Sequence, residues 1–265
     1  MWPVERIWRL LATGVLHIGF GIGSVFLGIL VMVPLALLCF NKPEVRVKCW
    51  RRTIQWAFAV FVWSAEQLGV LSVRFINVAG LRQPGQLIIA NHPSLLDVII
   101  LISRLPDVDC VIKRQLSRNP FVSLQVWLAD YVRNDAGEGV VRECARRLDA
   151  GRSLIVFPEG TRTKRGKPLK FLRGTARTIL ACEAPVRPVV VRCHPQSLAK
   201  GDAWYRVPER KIEYRFIVEP CLNVDPFRDS KDPESVRARH LTSWLEEWFT
   251  RRLDPTEVNR EPITT

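Results

Sequence analysis

Between Leu10 and Phe40 the chain carries no charged residue, a run of 31 positions, where about 20 apolar residues suffice for a helix to cross a bilayer. Glycines at 14, 19, 21, 23 and 28 and Pro34 interrupt it. A single tilted helix and a re-entrant pair of helices therefore both fit. Gly19 and Gly23 form a GxxxG spacing, a weak helix-packing signal in so glycine-rich a run. The stretch VPLALLCFNKPEV offers no convincing cleavage site for a signal peptide. Lys42, Arg46, Lys48, Arg51 and Arg52 follow, against Arg6 and Arg9 before it, and this bias places the chain after Phe40 on the cytoplasmic side. A second apolar stretch, TIQWAFAVFVWSAEQLGVLSV from Thr53, is expected to be an amphipathic helix at the interface or against the next domain, with a second span as the alternative.

From about Arg74 the pattern changes to short β-branched runs alternating with amphipathic stretches. Strands are expected at 86–90, 110–113, 131–134, 153–157, 186–191 and 211–219, and helices at 94–104, 120–129, 138–149 and 174–183. The alternation predicts an α/β fold, a mixed and mostly parallel sheet flanked by helices, preceded by the membrane-embedded N-terminal helical segment. A last helix is expected with Asp232 as its cap, Pro233 at its first position and an apolar stripe of Val236, Leu241, Trp244, Leu245 and Trp248. The expected division is an anchor with a basic flank over 1–52, an interfacial helix over 53–76, a catalytic domain over 77–253 and a tail over 254–265.

Composition narrows the partner. The net charge of +13 points to nucleic acid, an anionic membrane or a phosphate-bearing substrate; the apolar start favours the membrane, and no nucleic-acid-binding motif is present. Seven cysteines are scattered singly, without metal-site spacing, and read as mostly buried, reduced thiols of a domain facing a reducing compartment. His17, His194 and His240 lack a ligand partner at metal spacing, so no metal site is expected.

Chemistry concentrates in two loops that follow expected strands, where α/β folds place reactive groups. In NHPSLLD, Ser94 can cap a helix and Asp97 can sit in its first turn. The carboxylate can then accept a hydrogen bond from one nitrogen of His92 and leave the other to take a proton. These residues alone fit equally a helix start with a loop histidine. In FPEGTRTKRGKPLKFLRG, Gly160 allows a tight turn and Arg162 offers a fork for phosphate oxygens, while Lys164, Arg165 and Lys167 read as a solvated or membrane-surface patch.

The motifs Asn-His-x-Ser-x-x-Asp and Phe-Pro-Glu-Gly-Thr-Arg stand intact in the chain. With them the sequence resembles the glycerolipid acyltransferases that acylate lysophosphatidic acid and related lysophospholipids, over roughly residues 75 to 195. The resemblance implies His92 as the general base that removes the proton of the acceptor hydroxyl and Asp97 as its orienting group, the hydroxyl then attacking an acyl thioester directly without a covalent acyl-enzyme. Glu159, Gly160, Thr161 and Arg162 would bind the acceptor phosphate, with Asn91, Ser94 and Pro158 supporting the motifs. A second block, VIKRQLSRNPF through YVRND, adds Lys113 and Arg133 as phosphate contacts, although Ala129 and Asp130 stand where a glycine is usual. In the fourth block, APVRPVVV, Arg187 replaces an apolar residue and reads as structural. The implied co-substrate is acyl-CoA or acyl carrier protein, with no bound cofactor. The implied acceptor is 1-acylglycerol-3-phosphate, giving phosphatidic acid, or another lyso-lipid, at the cytoplasmic face of the inner membrane. A serine hydrolase lacks its G-x-S-x-G turn; a non-enzymatic anionic-lipid-binding membrane protein would fit the charge but has no use for a histidine–aspartate pair.

Overall fold

The computed structural model describes residues 4–39, 41–113, 123–134 and 138–254. Strands β1 (Leu71–Ile76), β2 (Leu87–Ala90), β3 (Val108–Lys113), β4 (Val132–Asn134), β5 (Ser153–Val156), β6 (Val186–His194) and β7 (Ile212–Val218) form one sheet in the order β1-β7-β6-β2-β5-β3-β4. All neighbours are parallel except β6 and β7, so the expected mixed, mostly parallel sheet is present. The carboxyl ends of β2 to β6 share one edge, and the antiparallel β7 begins there.

Helices cover both faces. The central strand LIIA is buried at every position, as a parallel strand sandwiched between helical layers must be. Ile88 and Ala90 face a core with Ile54 and Val62 of α3 (Pro43–Gln67) and Ile100 and Leu101 of α4 (Asp97–Ile102). Leu87 and Ile89 face Ala145 and Leu148 of α6 (Glu138–Asp149), Ile179 of α7 (Arg173–Leu180) and Leu245 of α9 (Glu234–Leu253). Two short helices, α5 (Ser123–Leu128) and α8 (Asp225–Arg228), lie among them.

The chain starts as a continuous helical rod, Val4–Leu38: α1 (Val4–Phe26), a π-helical stretch (Leu27–Met32) and α2 (Val33–Leu38). One side packs on α3, with Phe20 against Phe58 and Phe61. The other side leaves Leu11, Val15, Ile18, Ile22, Phe26 and Ile29 exposed, an apolar stripe at helical spacing that water does not favour. The rod is long and apolar enough to cross a membrane. A Cβ on Gly19 or Gly23 would meet nothing, whereas one on Gly28 would lie 2.9 Å from Leu124; the close helix approach falls in the π-helical stretch, not at the GxxxG.

Several local expectations are corrected. The helix expected over 53–76 runs Pro43–Gln67 and stops at Gly69, whose φ of +70° is left-handed; Leu71–Ile76 is a strand at the sheet edge. The helix expected over 94–104 is Asp97–Ile102. That expected over 120–129 is described only as Ser123–Leu128; residues 114–122, like 255–265, lie outside the described residues. The helix over 138–149 stands as expected, and that over 174–183 is Arg173–Leu180. Asp232 does not cap α9: its carboxylate accepts from Ser230, and Pro233 occupies the cap position. The buried stripe of α9 is Ala238, Leu241, Leu245 and Phe249; its two leucines and phenylalanine contribute about 1.5–3 kcal/mol each. All seven cysteines are free, but only Cys110, Cys144 and Cys182 are buried.

Candidate active site

The loop after β2 begins with an anchor. Asn91 Nδ2 donates to the Val191 carbonyl at 2.8 Å and its Oδ1 accepts from the Val191 amide at 2.7 Å. This bidentate link continues the β2–β6 ladder by one side chain and fixes where the loop leaves the sheet. His92 follows, stacked on Phe157 at the end of β5 with ring centroids 4.3 Å apart. Its Nδ1 lies 3.1 Å from Asp97 Oδ2, and that oxygen also accepts the Ser94 amide at 2.7 Å. The second half of the expected capping exchange is therefore present. The first half is reduced to a long contact, the Leu96 amide donating to the Ser94 hydroxyl oxygen at 3.4 Å, because that hydroxyl lies 2.7 Å from the Tyr214 hydroxyl and α4 begins only at Asp97.

Asp97 is wholly inaccessible and His92 is 16% exposed. Burial pushes the Asp97 carboxyl above its usual range; the hydrogen bond to His92, the imidazole's charge and the Ser94 amide oppose that rise, and Glu159 adds to it. Asp97 Oδ1 has no hydrogen-bond partner. The carboxylate is thus held with a single imidazole and one amide, a state tolerable only where something else gains from it.

The loop after β5 is tied to the first. Glu159 Oε1 accepts the His92 amide at 2.8 Å and Oε2 accepts the Thr163 hydroxyl at 2.6 Å. Thr163 in turn donates its amide to the His92 carbonyl at 2.8 Å. Both oxygens of Glu159 are committed to joining the loops, and a buried carboxylate repels phosphate, so its geometry is that of a strut. Burial raises its carboxyl above the usual range, against the pull of Thr163 and the His92 amide. Gly160 turns the chain at φ +61°, and a Cβ there would meet Leu172 at 2.5 Å; both the conformation and the space require glycine.

Arg162 Nη1 donates to the carbonyls of Leu198 at 2.8 Å and Ala199 at 3.3 Å. Lys113, at the end of β3, is exposed; partial burial lowers its pKa, as do the like charges of Lys200 and Arg162. The last residue of β3 and one cation from each of two loops thus share a neighbourhood close enough for Lys200 and Arg162 to act on Lys113, and a neighbourhood of like charges favours an anion. Arg133 is not part of it. It pairs with Ile112 in register, one position from the Lys113–Asn134 pair, so strand alternation sends it to the opposite face of the sheet. Thr161 lines an open cleft with Arg162, and Pro158 is buried, its carbonyl accepting the Leu172 amide at 2.8 Å.

Three participants were not found in the sequence. Tyr214 had a signal: in KIEYRFIVE the buried positions alternate as Ile212, Tyr214, Phe216 and Val218, and a tyrosine pointing inward needs a partner for its hydroxyl. Thr163 had only its place four residues past Glu159. Lys200 had none, since its role depends on how the segment after β6 folds back over Pro93 and Leu95. Arg187, expected to be structural, is buried and donates to Gln86, Gln83 and the Glu219 carbonyl. Among the described residues no cluster could hold a metal ion.

Residues 72–192 match the family model described as Acyltransferase. A 1-acyl-sn-glycerol-3-phosphate acyltransferase of Helicobacter pylori is 26% identical over 179 residues, 63% of this chain and 71% of that protein. The protein of the same name from Cocos nucifera is 32% identical over 177 residues, 57% of this chain and 56% of that one. The alpha form from Mus musculus is 31% identical over 170 residues, 60% of this chain and 58% of that one. The alignments thus span little more than half the length of the coconut and mouse relatives. The crystal structure of the 1-acyl-sn-glycerophosphate (LPA) acyltransferase PlsC from Thermotoga maritima shares the fold, with a TM-score of 0.66 at 17% identity, covering 95% of this chain and 100% of that one.

Proposed function

We propose, from the premise that this chain belongs to the acyltransferase family through residues 72–192, that it moves a fatty acyl group from a thioester donor to the free hydroxyl of a lysophospholipid. The acceptor we infer is 1-acylglycerol-3-phosphate, which would become phosphatidic acid; it is the substrate class in the names of the relatives. The observation that carries the reading is the His92–Asp97 contact of 3.1 Å. With Nδ1 turned to the carboxylate, Nε2 is the nitrogen available to the acceptor hydroxyl. It takes that proton as the oxygen attacks the thioester carbonyl, and the thiol of the donor leaves with the proton. Asp97 fixes the tautomer and stabilises the transient imidazolium. General-base assistance of this kind supplies about 10²–10⁴ in rate, and positioning supplies more.

Lys113, Arg162 and Lys200 are the groups suited to the acceptor phosphate, because Lys200 and Arg162 both bear on Lys113 as like charges and a phosphate would offset them. The apolar outer stripe of the N-terminal rod and the exposed Trp56 and Trp63 of α3 suit a bilayer. The bias of Lys42, Arg46, Lys48, Arg51 and Arg52 suits the cytoplasmic face of the inner membrane.

The test is an assay of detergent-solubilised protein with labelled acyl-CoA and acyl carrier protein, a panel of lyso-lipids, and His92→Ala beside wild type. Wild type should acylate 1-acylglycerol-3-phosphate while His92→Ala loses at least about 10³ in rate. Equal activity in the two proteins, or transfer to a different acceptor only, would sink the reading.

A further inference from the structure

Asp97 is not the only group that fixes His92. Ile88 of β2 and Ile155 of β5 pair in register, and both face the core shared with α3 and α4. Strand alternation puts Ala90 and Phe157 on that same face two residues later, with His92 two beyond Ala90. The loop keeps this alignment, since the Phe157 ring stacks on the imidazole with centroids 4.3 Å apart and planes 28° from parallel. Phe157 is itself firmly placed. It follows directly on β5, its carbonyl accepts the Gly160 amide at 2.9 Å, and its ring packs on the buried core.

The surroundings of the imidazole are thus divided. Its Nδ1 edge is turned to Asp97 at 3.1 Å, its Nε2 edge is the one left for the acceptor hydroxyl, and Phe157 covers one face. Two carboxylates act on the ring as charges, Asp97 from α4 and Glu159 from the turn after β5. Asp97 meets the ring at its edge, and Glu159 accepts the His92 amide. Phe157 adds negative potential of another kind. The face of a benzene ring is the negative side of its quadrupole and attracts a cation within about 6 Å of the ring centre. A neutral imidazole gains little from that face, whereas an imidazolium is a flat, delocalised cation and gains as a stacked guanidinium does. The contact is therefore stronger once the proton has been taken than before, and only interactions that grow in this way raise the chemical rate. Water screens it little, because the His92 side chain is 16% exposed.

We propose that Phe157 is a positioning residue of the transfer, its π face holding the imidazole against Asp97 and stabilising the imidazolium that forms as Nε2 takes the proton of the acceptor hydroxyl. The assignment rests on the reading of His92 as general base and goes beyond it by giving an apolar residue a part in the proton transfer. It also makes the end of β5 a holder of His92 twice over, through the Phe157 ring on the side chain and through Glu159 on the amide.

The test installs pentafluorophenylalanine at position 157 of the full-length protein in detergent, beside Phe157→Leu and Phe157→Tyr. Full fluorination nearly preserves the shape of the ring but reverses the sign of its face, so packing stays while the attraction for a cation is lost. The imidazole is titrated by NMR, where the chain's four histidines give few signals and His92→Ala identifies the one in question. Acyl transfer is measured alongside. In the fluorinated protein the His92 midpoint should fall by about 0.5–1 pH unit and kcat by about three- to tenfold, with KM for donor and acceptor within twofold. Phe157→Leu should behave alike, and Phe157→Tyr, which keeps the face, should recover most of both losses. A fluorinated protein with the wild-type midpoint and kcat, beside a leucine variant that loses activity, would make Phe157 a packing residue and overturn the proposal. Should the fluorinated chain not fold, a single para fluorine carries the same test: a smaller shift of the same sign supports the proposal and no shift overturns it. Because the titration needs no turnover, a midpoint that follows the charge of the ring in a protein that acylates no lyso-lipid would support the contact and overturn the general-base reading. A fixed midpoint in a protein that turns over normally would overturn the contact alone.

Discussion

Asp97 and Asp109 are both sealed from solvent, at 0% exposure, yet their surroundings differ in kind. Asp109, on β3, meets Arg51 of α3, Arg147 of α6 at 2.8 Å and Arg152 at 2.9 Å. Burial raises its pKa and the three guanidiniums pull it back. Arg51 also bonds Asp107 and the Ala129 carbonyl, while Arg147 reaches Asp130 and Glu143. One carboxylate thus fastens the helix that follows the apolar rod to the sheet and to α6. Asp97 has one imidazole, one amide and an orphaned oxygen. A carboxylate surrounded by permanent cations is committed to its charge and can only hold things together. One poised against a titratable ring can change what that ring does.

Breaking each in turn should separate the two roles. Asp97→Asn can put only one of two groups where Oδ2 now accepts from both the Ser94 amide and His92 Nδ1. Its oxygen keeps both contacts without the charge; its NH2 gives up Ser94 and forces the wrong tautomer on His92. Either way the transient imidazolium loses its carboxylate. We expect a loss of about 10³–10⁴ in kcat, the scale known for such replacements in other histidine–aspartate catalysts, with a melting temperature at neutral pH no lower than wild type. A variant that both unfolds and loses activity would place Asp97 with Asp109. Asp109→Asn is the converse. It leaves Arg51, Arg147 and Arg152 facing one another, and removing one side of a buried pair costs about 3–5 kcal/mol, read as a lower denaturation midpoint. The fraction that remains folded should turn over normally.

Acidity sharpens the same contrast. Because the folded Asp97 pKa lies above its ordinary 3.8, the native state keeps that proton while the unfolded chain releases it. Stability from this group is complete below 3.8 and is lost as pH rises through the folded value. The Asp97→Asn protein has no such loss. Its advantage in melting temperature should therefore widen from pH 4 to pH 7, and a constant gap would refute the argument. A smaller effect is expected at Tyr214→Phe, which strips the buried Ser94 hydroxyl of its 2.7 Å partner. It should cost about 1–2 kcal/mol of stability and lower kcat more than it raises KM.

What could be read in advance follows from the range of the interactions. The His92–Asp97 pair lies within five residues, and the helix that carries Asp97 is signalled locally, so the motif and its geometry were legible together. The sheet was legible because β2, β3, β5 and β6 are runs of branched apolar residues bounded by polar turns. β1 was not, because LGVLSV continues the apolar stretch of α3 without a change of composition, and only Gly69 marks the break. Glu159 illustrates a second limit. The sequence places it beside Arg162 at a strand end and invites a shared phosphate role, whereas its partners, the His92 amide and the Thr163 hydroxyl, depend on β2 and β5 being neighbours. The Asp109 network was illegible for the same reason: Arg51, Asp109, Arg147 and Arg152 come from four elements, and nothing short of the topology brings them together.

The weakest expected effect lies at the rim of that network. Glu143 is held at a pKa of about 2, first by its hydrogen bond to Arg146, with burial opposing and Arg147 adding to the pull. Its folded pKa is depressed, so its contribution is present above its ordinary 4.5 and is lost as pH falls from there towards 2. Glu143→Gln should therefore match wild type in acid and fall short of it at neutral pH, the reverse of the sign expected for Asp97→Asn only in that the substitution now lowers stability instead of raising it. With its side chain 34% exposed, solvent screens the pair, and the difference should stay below about 1 kcal/mol. A larger loss would mean that Glu143 orients Arg147 onto Asp109, and that the rim and the buried centre act as one unit; a double substitution with Asp109→Asn would then cost less than the two singly.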